Sequence, residues 1–218
     1  MIETPRFSLR LPDLKDAPSV FEFANDPEVV KYLVWRRHQE IAESVRFIEN
    51  GRAHWLFEEA RPYSIVDKAS GQIAGLAEVR RKKFVATVGY VLARPYWGQG
   101  AMTEILQAMM KELSAAPNVW RVEAHCHPDN AASRRVLEKA GLRMERICRA
   151  HAIFPNLSAM PQDAILYALD TANSCDVLVA EACPARAEGP ASPARASQWL
   201  RNVDLPQAFS LRPAKRGD

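Results

Sequence analysis

A short segment with two glycines stands where a predicted strand gives way to a predicted helix. Residues 95–104 read PYWGQGAMTE, and the preceding FVATVGYVLA is apolar on both faces, as in a central strand. The first four N–H groups of a helix have no partner inside it, and the helix dipole places partial positive charge there. Because Gly98 and Gly100 carry no β-carbon, an anionic group could reach the backbone amides of residues 98–103. A tight strand-to-helix turn without a ligand is the alternative.

Two familiar phosphate-binding patterns do not fit this segment. A dinucleotide-binding turn needs a third glycine at the position of Thr103. A P-loop needs a Gly-Lys-Ser/Thr run, and the sequence has none there. The segment therefore predicts an anion site of neither kind.

A second motif follows the next predicted strand, VWRVEAHC. Residues 127–142 read HPDNAASRRVLEKAGL, in which Asn130 suits a helix N-cap and Gly141 suits a helix end. His125 and His127 form an H-x-H pair that would share one face of the strand. Since we find no further cysteine or histidine at ligand spacing, we predict no metal site.

The two motifs together, in this order, resemble the GNAT superfamily of acetyl-coenzyme A dependent N-acetyltransferases. The segments YWGQGAMTE, NAASRRVLEKAGL, TPRFSLRLP and EVVKYLVWRRH are similar to the branch with the ribosomal-protein N-terminal acetyltransferases. The resemblance covers about residues 4–170. It implies a mixed α/β fold with a central, twisted, mostly antiparallel sheet, one splayed parallel strand pair, and flanking helices.

The resemblance also implies acetyl-coenzyme A as co-substrate. Its pyrophosphate would lie on the amides of the glycine turn, and its pantetheine would pair like a strand with the first of the splayed strands, residues 84–93. Trp97 and Met102 stand where the family usually has Gln/Arg and a small residue. The residues thus expected to bind the cofactor are Val91, Leu92, Ala93, Trp97, Gly98, Gln99, Gly100, Ala101, Met102, Thr103 and Asn130.

Two catalytic roles follow from the resemblance. The N–H of Leu92 is expected to stabilise the oxyanion, a contribution of about 2.7–4 kcal/mol for a backbone donor of this kind. Ser133 is expected to protonate the leaving thiolate, since Leu137 occupies the position of the tyrosine that many relatives use. The plainer alternatives are that Asn130 only caps its helix and that Ser133 only bonds the backbone of its first turn.

No general base is assigned. Thr87 stands where many relatives carry a glutamate. The remaining candidates are Glu78, Glu123, His38, His125 and His151. Trp35, His38, Tyr63, Tyr90 and Phe154 are candidates to line the acceptor cleft, or else to fill the core.

The expected reaction is acetyl transfer to a primary amine in a direct ternary complex. The leading acceptor is the α-amine of a protein or peptide, of the ribosomal-protein type. A small-molecule amine (an amino acid, a polyamine or a drug) and a non-catalytic acyl-coenzyme A sensor module are the alternatives. RRKK, residues 80–83, is expected in a solvated hairpin turn, where it could still contact an acidic partner.

Composition limits the remaining possibilities. The 218 residues carry a formal charge of +3, too small to indicate nucleic acid binding, and they contain neither an 18-residue apolar run nor a signal-peptide core. We therefore expect a cytoplasmic protein without membrane contact, as a monomer or homodimer. Four cysteines without C-x-x-C spacing are predicted to be reduced, with Cys126 and Cys148 as small core residues.

The chain divides by composition into a transferase domain, residues 1–171, and an Ala/Pro/Arg-rich tail, residues 172–218, predicted to be mostly disordered. Within the domain, the hydrophobic pattern predicts a third helix that ends at Gly51 and a hairpin that turns at residues 68–71. It also predicts a helix over 100–113 and closing strands near 143–151 and 163–170.

Overall fold

The computed structural model describes residues 1–56 and 60–171. Within these residues, eight strands and five α-helices follow one another. The strands are β1 Ile2–Glu3, β2 Phe7–Arg10, β3 Ala60–Asp67, β4 Ile73–Lys82, β5 Val85–Leu92, β6 Arg121–Cys126, β7 Arg143–Ile153 and β8 Pro161–Asp170. The helices are α1 Ala17–Ala24, α2 Pro27–Val30, α3 Ile41–Leu56, α4 Ala101–Ala115 and α5 Ala131–Lys139.

All eight strands form one sheet in the order β1-β2-β3-β4-β5-β6-β8-β7. Every neighbouring pair is antiparallel except β5 and β6, which are parallel. The parallel pair needs a long crossover, and α4 supplies it. The predicted mixed fold with one parallel pair is confirmed.

Helices cover the two faces of the sheet. The first face packs against α4 and α5, and the second packs against α1, α2 and α3 over the half of the sheet that contains β4 and β5. The apolar side of α4 is buried as predicted, with Met102, Ile105, Leu106, Met109, Met110 and Leu113 each at most 5% exposed. The sheet thus holds the glycine turn and α4 against a rigid core.

A polar cap and two glycines define the ends of several elements. The side chain of Asp26 accepts a hydrogen bond from the N–H of Glu28, 3.0 Å away, at the start of α2. Gly141 ends α5 with a φ of 97°, and Gly71 closes the β3–β4 turn with a φ of 71°. Both glycines occupy the left-handed region that other residues avoid.

Three sequence predictions need correction. Helix α3 continues through Gly51 to Leu56. Gly51 is buried, and a β-carbon there would lie 3.3 Å from Cγ of Pro62, so the glycine permits close packing of α3 on β3 rather than ending the helix. Arg80–Lys82 belong to the end of β4, and the hairpin turns at Lys83, which has a φ of 55°. Cys126 is buried in the core, whereas Cys148 is only half-buried on β7.

No helix in the described part of the chain is long and apolar enough to cross a membrane. The tail from residue 172 onward, including Cys175 and Cys183, lies outside the described residues. The disorder predicted for it therefore stays a prediction.

Candidate active site

The parallel strands β5 and β6 separate part-way along their length. They pair from Val85 with Arg121 to Thr87 with Glu123, and no further pairing joins them among the described residues. Both strands nevertheless continue, each held on its outer side by β4 or β8. We call the gap between β5 beyond Thr87 and β6 beyond Glu123 the fork. It matches the splayed strand pair that the family resemblance implies.

The backbone of β5 offers alternate residues to the fork. The N–H of Ala93 donates to the carbonyl of Ala74 on β4, 2.8 Å away. Because backbone N–H groups point alternately to the two sides of a strand, the N–H of Val91 also faces β4. Leu92 and Tyr90 therefore present their N–H groups to the fork. Of the three residues expected to pair with pantetheine, Val91, Leu92 and Ala93, only Leu92 presents its N–H to the fork.

The glycine turn lies directly after β5. Gly98 and Gly100 both have a φ of 72°, and a β-carbon at either position would meet nothing within 4 Å. The backbone conformation alone requires glycine here, and the open space leaves room for a ligand as well. Helix α4 begins at Ala101 without a side-chain cap, so its first N–H groups depend on an outside partner.

The remaining side chains of the turn are held away from this space. Met102 is 5% exposed and packs in the core, so the bulk of its side chain does not obstruct the turn. The indole Nε1–H of Trp97 donates to the carbonyl of Leu92, 2.7 Å away. Gln99 donates from its side-chain amide to the carbonyl of Pro95, 2.6 Å away. Together, these contacts fix the turn beside the mouth of the fork.

Ser133 lies at the fork on α5, next to a tyrosine from β5. Its Oγ is 2.9 Å from the hydroxyl of Tyr90, which also lies 3.3 Å from the carbonyl of Ser133. Burial raises the pKa of Tyr90, so the phenol stays protonated. The sequence suggested Tyr90 only as a cleft residue, because its contact with Ser133 joins segments far apart in the chain.

Asn130 caps α5, as its plainer interpretation holds. Its Oδ1 accepts a hydrogen bond from the N–H of Ser133, 3.0 Å away, which fixes the serine at the fork. Leu137, at the position where many relatives have a tyrosine, is 1% exposed in the core. Burial raises the pKa of Cys126 to about 11, so this thiol beside Ser133 is protonated at neutral pH.

The second face of the sheet is open above the fork. Gly89, in the middle of a central strand, is exposed, and a β-carbon there would meet nothing within 4 Å. Glu78 pairs with Gly89 and emerges on the same side. His125 also emerges there, because its neighbours Ala124 and Cys126 face the core. An acceptor can therefore reach the fork from this side.

Each candidate base already has a partner. Glu78 accepts from Arg80 at 2.5 Å, and Glu123 accepts from Arg121 at 2.7 Å. His38 is buried with its Nδ1 2.8 Å from Oγ of Ser44, and burial lowers its pKa. The rings of His125 and His151 stack on each other, with their centroids 4.2 Å apart. These contacts single out none of them as the base.

An aromatic group of Tyr32, His127 and Phe154 borders the same face, and of these the sequence suggested only Phe154 as a cleft residue. The ring of His127 stacks on Tyr32 at 5.0 Å and meets Phe154 edge-on at 4.9 Å, while its Nε2 lies 2.8 Å from Oε1 of Gln162. Asn156, in the loop between β7 and β8, donates hydrogen bonds of 2.8 Å to the carbonyls of Val30 at the end of α2 and of Trp35 beyond it. Tyr63 packs in the core instead.

Comparison with known proteins gives a family match over most of the domain. A family model described as an acetyltransferase (GNAT) domain matches residues 6–143. The uncharacterized N-acetyltransferase p20 of Bacillus licheniformis is 27% identical over 149 residues, which covers 67% of this chain and 84% of that protein. The uncharacterized N-acetyltransferase YoaA of Bacillus subtilis is 25% identical, over 78% of this chain and 96% of that protein.

Solved structures share the fold at lower identity. RimL, a ribosomal L7/L12 α-N-protein acetyltransferase solved with coenzyme A, superposes with a TM-score of 0.69 at 20% identity, over 78% of this chain and 97% of that chain. The microcin C7 self-immunity acetyltransferase MccE, solved with acetyl-coenzyme A and AMP, gives 0.68 at 23% identity, over 76% and 93%. With the forked sheet, the glycine turn and the family match in agreement, the chain belongs to the GNAT family of N-acetyltransferases.

Proposed function

We propose that this enzyme transfers an acetyl group from acetyl-coenzyme A to the N-terminal α-amine of a protein or peptide. The observation that carries the proposal is the fork, which lies beside a glycine turn whose helix amides lack a side-chain cap. The amides of residues 98–103 would bind the pyrophosphate, and the fork side of β5 would bind the pantetheine. In this arrangement, the thioester supplies the activated acetyl group.

The residues at the fork then have distinct tasks. The N–H of Leu92 faces the fork and can donate to the oxygen that gains charge during attack. The hydroxyl groups of Ser133 and Tyr90 can deliver a proton to the departing sulfur. An α-amine has a pKa of about 7.7–8.0, so roughly a tenth or more of it is uncharged near neutral pH, and a weak base or water can deprotonate the rest.

The acceptor would enter over Gly89. A peptide N-terminus is narrow and can approach end-on, which suits an opening bordered by the aromatic group of Tyr32, His127 and Phe154. The fold neighbours named as ribosomal-protein acetyltransferases support the same acceptor class. MccE is about as similar to this chain, but it is named as a self-immunity acetyltransferase rather than a ribosomal-protein one. A small-molecule amine is therefore tested beside the peptide.

The test is a mass-spectrometric assay with acetyl-coenzyme A and three acceptors. The first is a peptide with a free N-terminus and no lysine, the second is a peptide with a blocked N-terminus and one lysine, and the third is a mixture of amino acids and polyamines. We expect acetylation of the first alone. Acetylation of the third alone would show that the acceptor is a small-molecule amine and not a peptide. Binding of acetyl-coenzyme A without any turnover would indicate the sensor alternative.

A further inference from the structure

Three metal-ligating side chains meet on the second face of the sheet, away from the fork-facing hydroxyl groups. His125 comes from β6, and Cys148 and His151 come from β7. One ligand atom from each lies within 4.8 Å of the other two. In a tetrahedral zinc site, metal–nitrogen distances of about 2.0–2.1 Å and metal–sulfur distances of about 2.3 Å put the ligand atoms somewhat more than 3 Å apart. The cluster would therefore have to contract, and its rings to reorient, in order to hold an ion.

An irregularity in β7 places two of these ligands together. On a regular strand, residues three apart point to opposite faces. Here Cys148 pairs with Ala164, and the next pair joins Ala152 to Gln162. Between these pairs β7 has more residues than β8, so β7 forms a bulge. Ala150, inside the bulge, has a φ of 46°, and its N–H donates to Asp163, 3.1 Å away. A left-handed alanine is strained, so neighbouring contacts must hold this conformation.

The surroundings suit a cation with nitrogen and sulfur ligands. All three side chains are half-buried, and imidazole nitrogens and a thiolate are ligands that zinc prefers. The carboxylate of Glu123 and the guanidinium of Arg146 are the charged groups that act on this cluster. Arg146 is paired with Glu145 at 2.6 Å, which reduces its repulsion of a metal ion.

We propose that His125, Cys148 and His151 bind one Zn²⁺ ion, with a fourth position left for water or a ligand. Two nitrogens and one thiolate form a donor set that zinc favours, and three protein ligands are typical of an open site. On binding, the thiol of Cys148 passes its proton to solvent. The rings of His125 and His151 now stack at 14°, so one ring must rotate about its Cβ–Cγ bond for both to face one ion.

The sequence did not predict this site because the bulge is invisible in it. His125 was considered with His127, but His127 is engaged by Gln162, Tyr32 and Phe154. The useful signal is Cys148-x-x-His151, which becomes a ligand pair only when the strand is irregular. The proposal does not depend on the acceptor of the transferase, and it can fail while acetyl transfer succeeds.

Zinc titration of the full chain, freed of metal and measured against a competing chelator, tests the proposal. We expect one ion per chain, and we expect Cys148→Ser and His151→Gln each to weaken binding by at least about tenfold, as loss of a ligand should. The Cys175→Ser/Cys183→Ser double variant removes the two tail thiols and should bind as tightly as the original chain.

Cobalt provides a second readout that needs no activity. The Co²⁺-loaded chain should show a thiolate-to-cobalt charge-transfer band, and Cys148→Ser should abolish it. A melting curve without metal checks that this variant is folded. Less than one zinc per chain, or equal zinc affinity in the folded Cys148→Ser variant and the original chain, would overturn the proposal.

Discussion

At the scale of single residues, the hydroxyl groups of Ser133 on α5 and Tyr90 on β5 lie within hydrogen-bond distance of each other at the fork. Asn130 holds the serine in place through its N–H, and burial keeps the tyrosine protonated. In many relatives, a tyrosine seven residues after the asparagine is the proton donor, and here Leu137 fills that position in the core. We therefore expect Tyr90 to share the donor role with Ser133.

Replacing Ser133 with alanine should lower kcat by at least tenfold, because general acid catalysis typically contributes about 10²- to 10⁴-fold. The KM for acetyl-coenzyme A should change little. Tyr90→Phe should also lower kcat, and the double variant should lose less than the product of the two single effects, since the hydroxyl groups act together. Steady-state kinetics of the four proteins measure this. An unchanged kcat in Ser133→Ala would remove the serine from the mechanism.

At the scale of elements, β4 and β5 form the wall of the fork, and two glycines in them have opposite surroundings. A β-carbon at Gly75 would lie 2.2 Å from the carbonyl oxygen of Val91, a backbone atom that cannot easily move. A β-carbon at Gly89 would meet nothing within 4 Å. Gly75 thus permits close approach of the two strands, whereas Gly89 keeps the second face open.

Gly75→Ala should reduce the free energy of unfolding by about 1–3 kcal/mol or more, as overpacking does. Gly89→Ala is the matched control and should leave stability unchanged or slightly raised, because glycine within a strand is itself costly. Urea denaturation measures both. In the assay, Gly89→Ala should raise the KM for the amine acceptor more than that for acetyl-coenzyme A. Equal loss of stability in the two variants would contradict these packing assignments.

At the scale of the whole molecule, local chemistry was predictable and long-range contacts were not. Helix caps and glycine turns depend on residues close in sequence, so they can be read from the sequence; examples are the cap Asn130 and the positive-φ glycines Gly98, Gly100 and Gly141. The parallel pair came only from the family resemblance. The extension of α3 past Gly51, the contact of Tyr90 with Ser133 and the bulge in β7 all depend on distant segments. Periodicity and spacing do not report such contacts.

Stability should fall in mild acid, partly because of His38. Burial lowers its folded pKa below the ordinary value of 6.5, with Glu43 and Arg46 as the nearby charges. The unfolded chain therefore binds a proton first, so the contribution of His38 is fully present above pH 6.5 and is lost as pH falls toward the folded pKa. Melting temperatures between pH 7.5 and 5 should fall less steeply for His38→Asn. Parallel curves for the two proteins would contradict this assignment.

The central claim is that the fork and the glycine turn bind acetyl-coenzyme A. Amide hydrogen exchange of residues 90–103, measured by NMR with and without acetyl-coenzyme A, tests it directly. We expect Leu92 and the amides of residues 101–103 to exchange much more slowly when the ligand is bound, whereas Val91 and Ala93 are protected by β4 in both states. Unchanged exchange at Leu92 and residues 101–103 under saturating ligand would contradict the account.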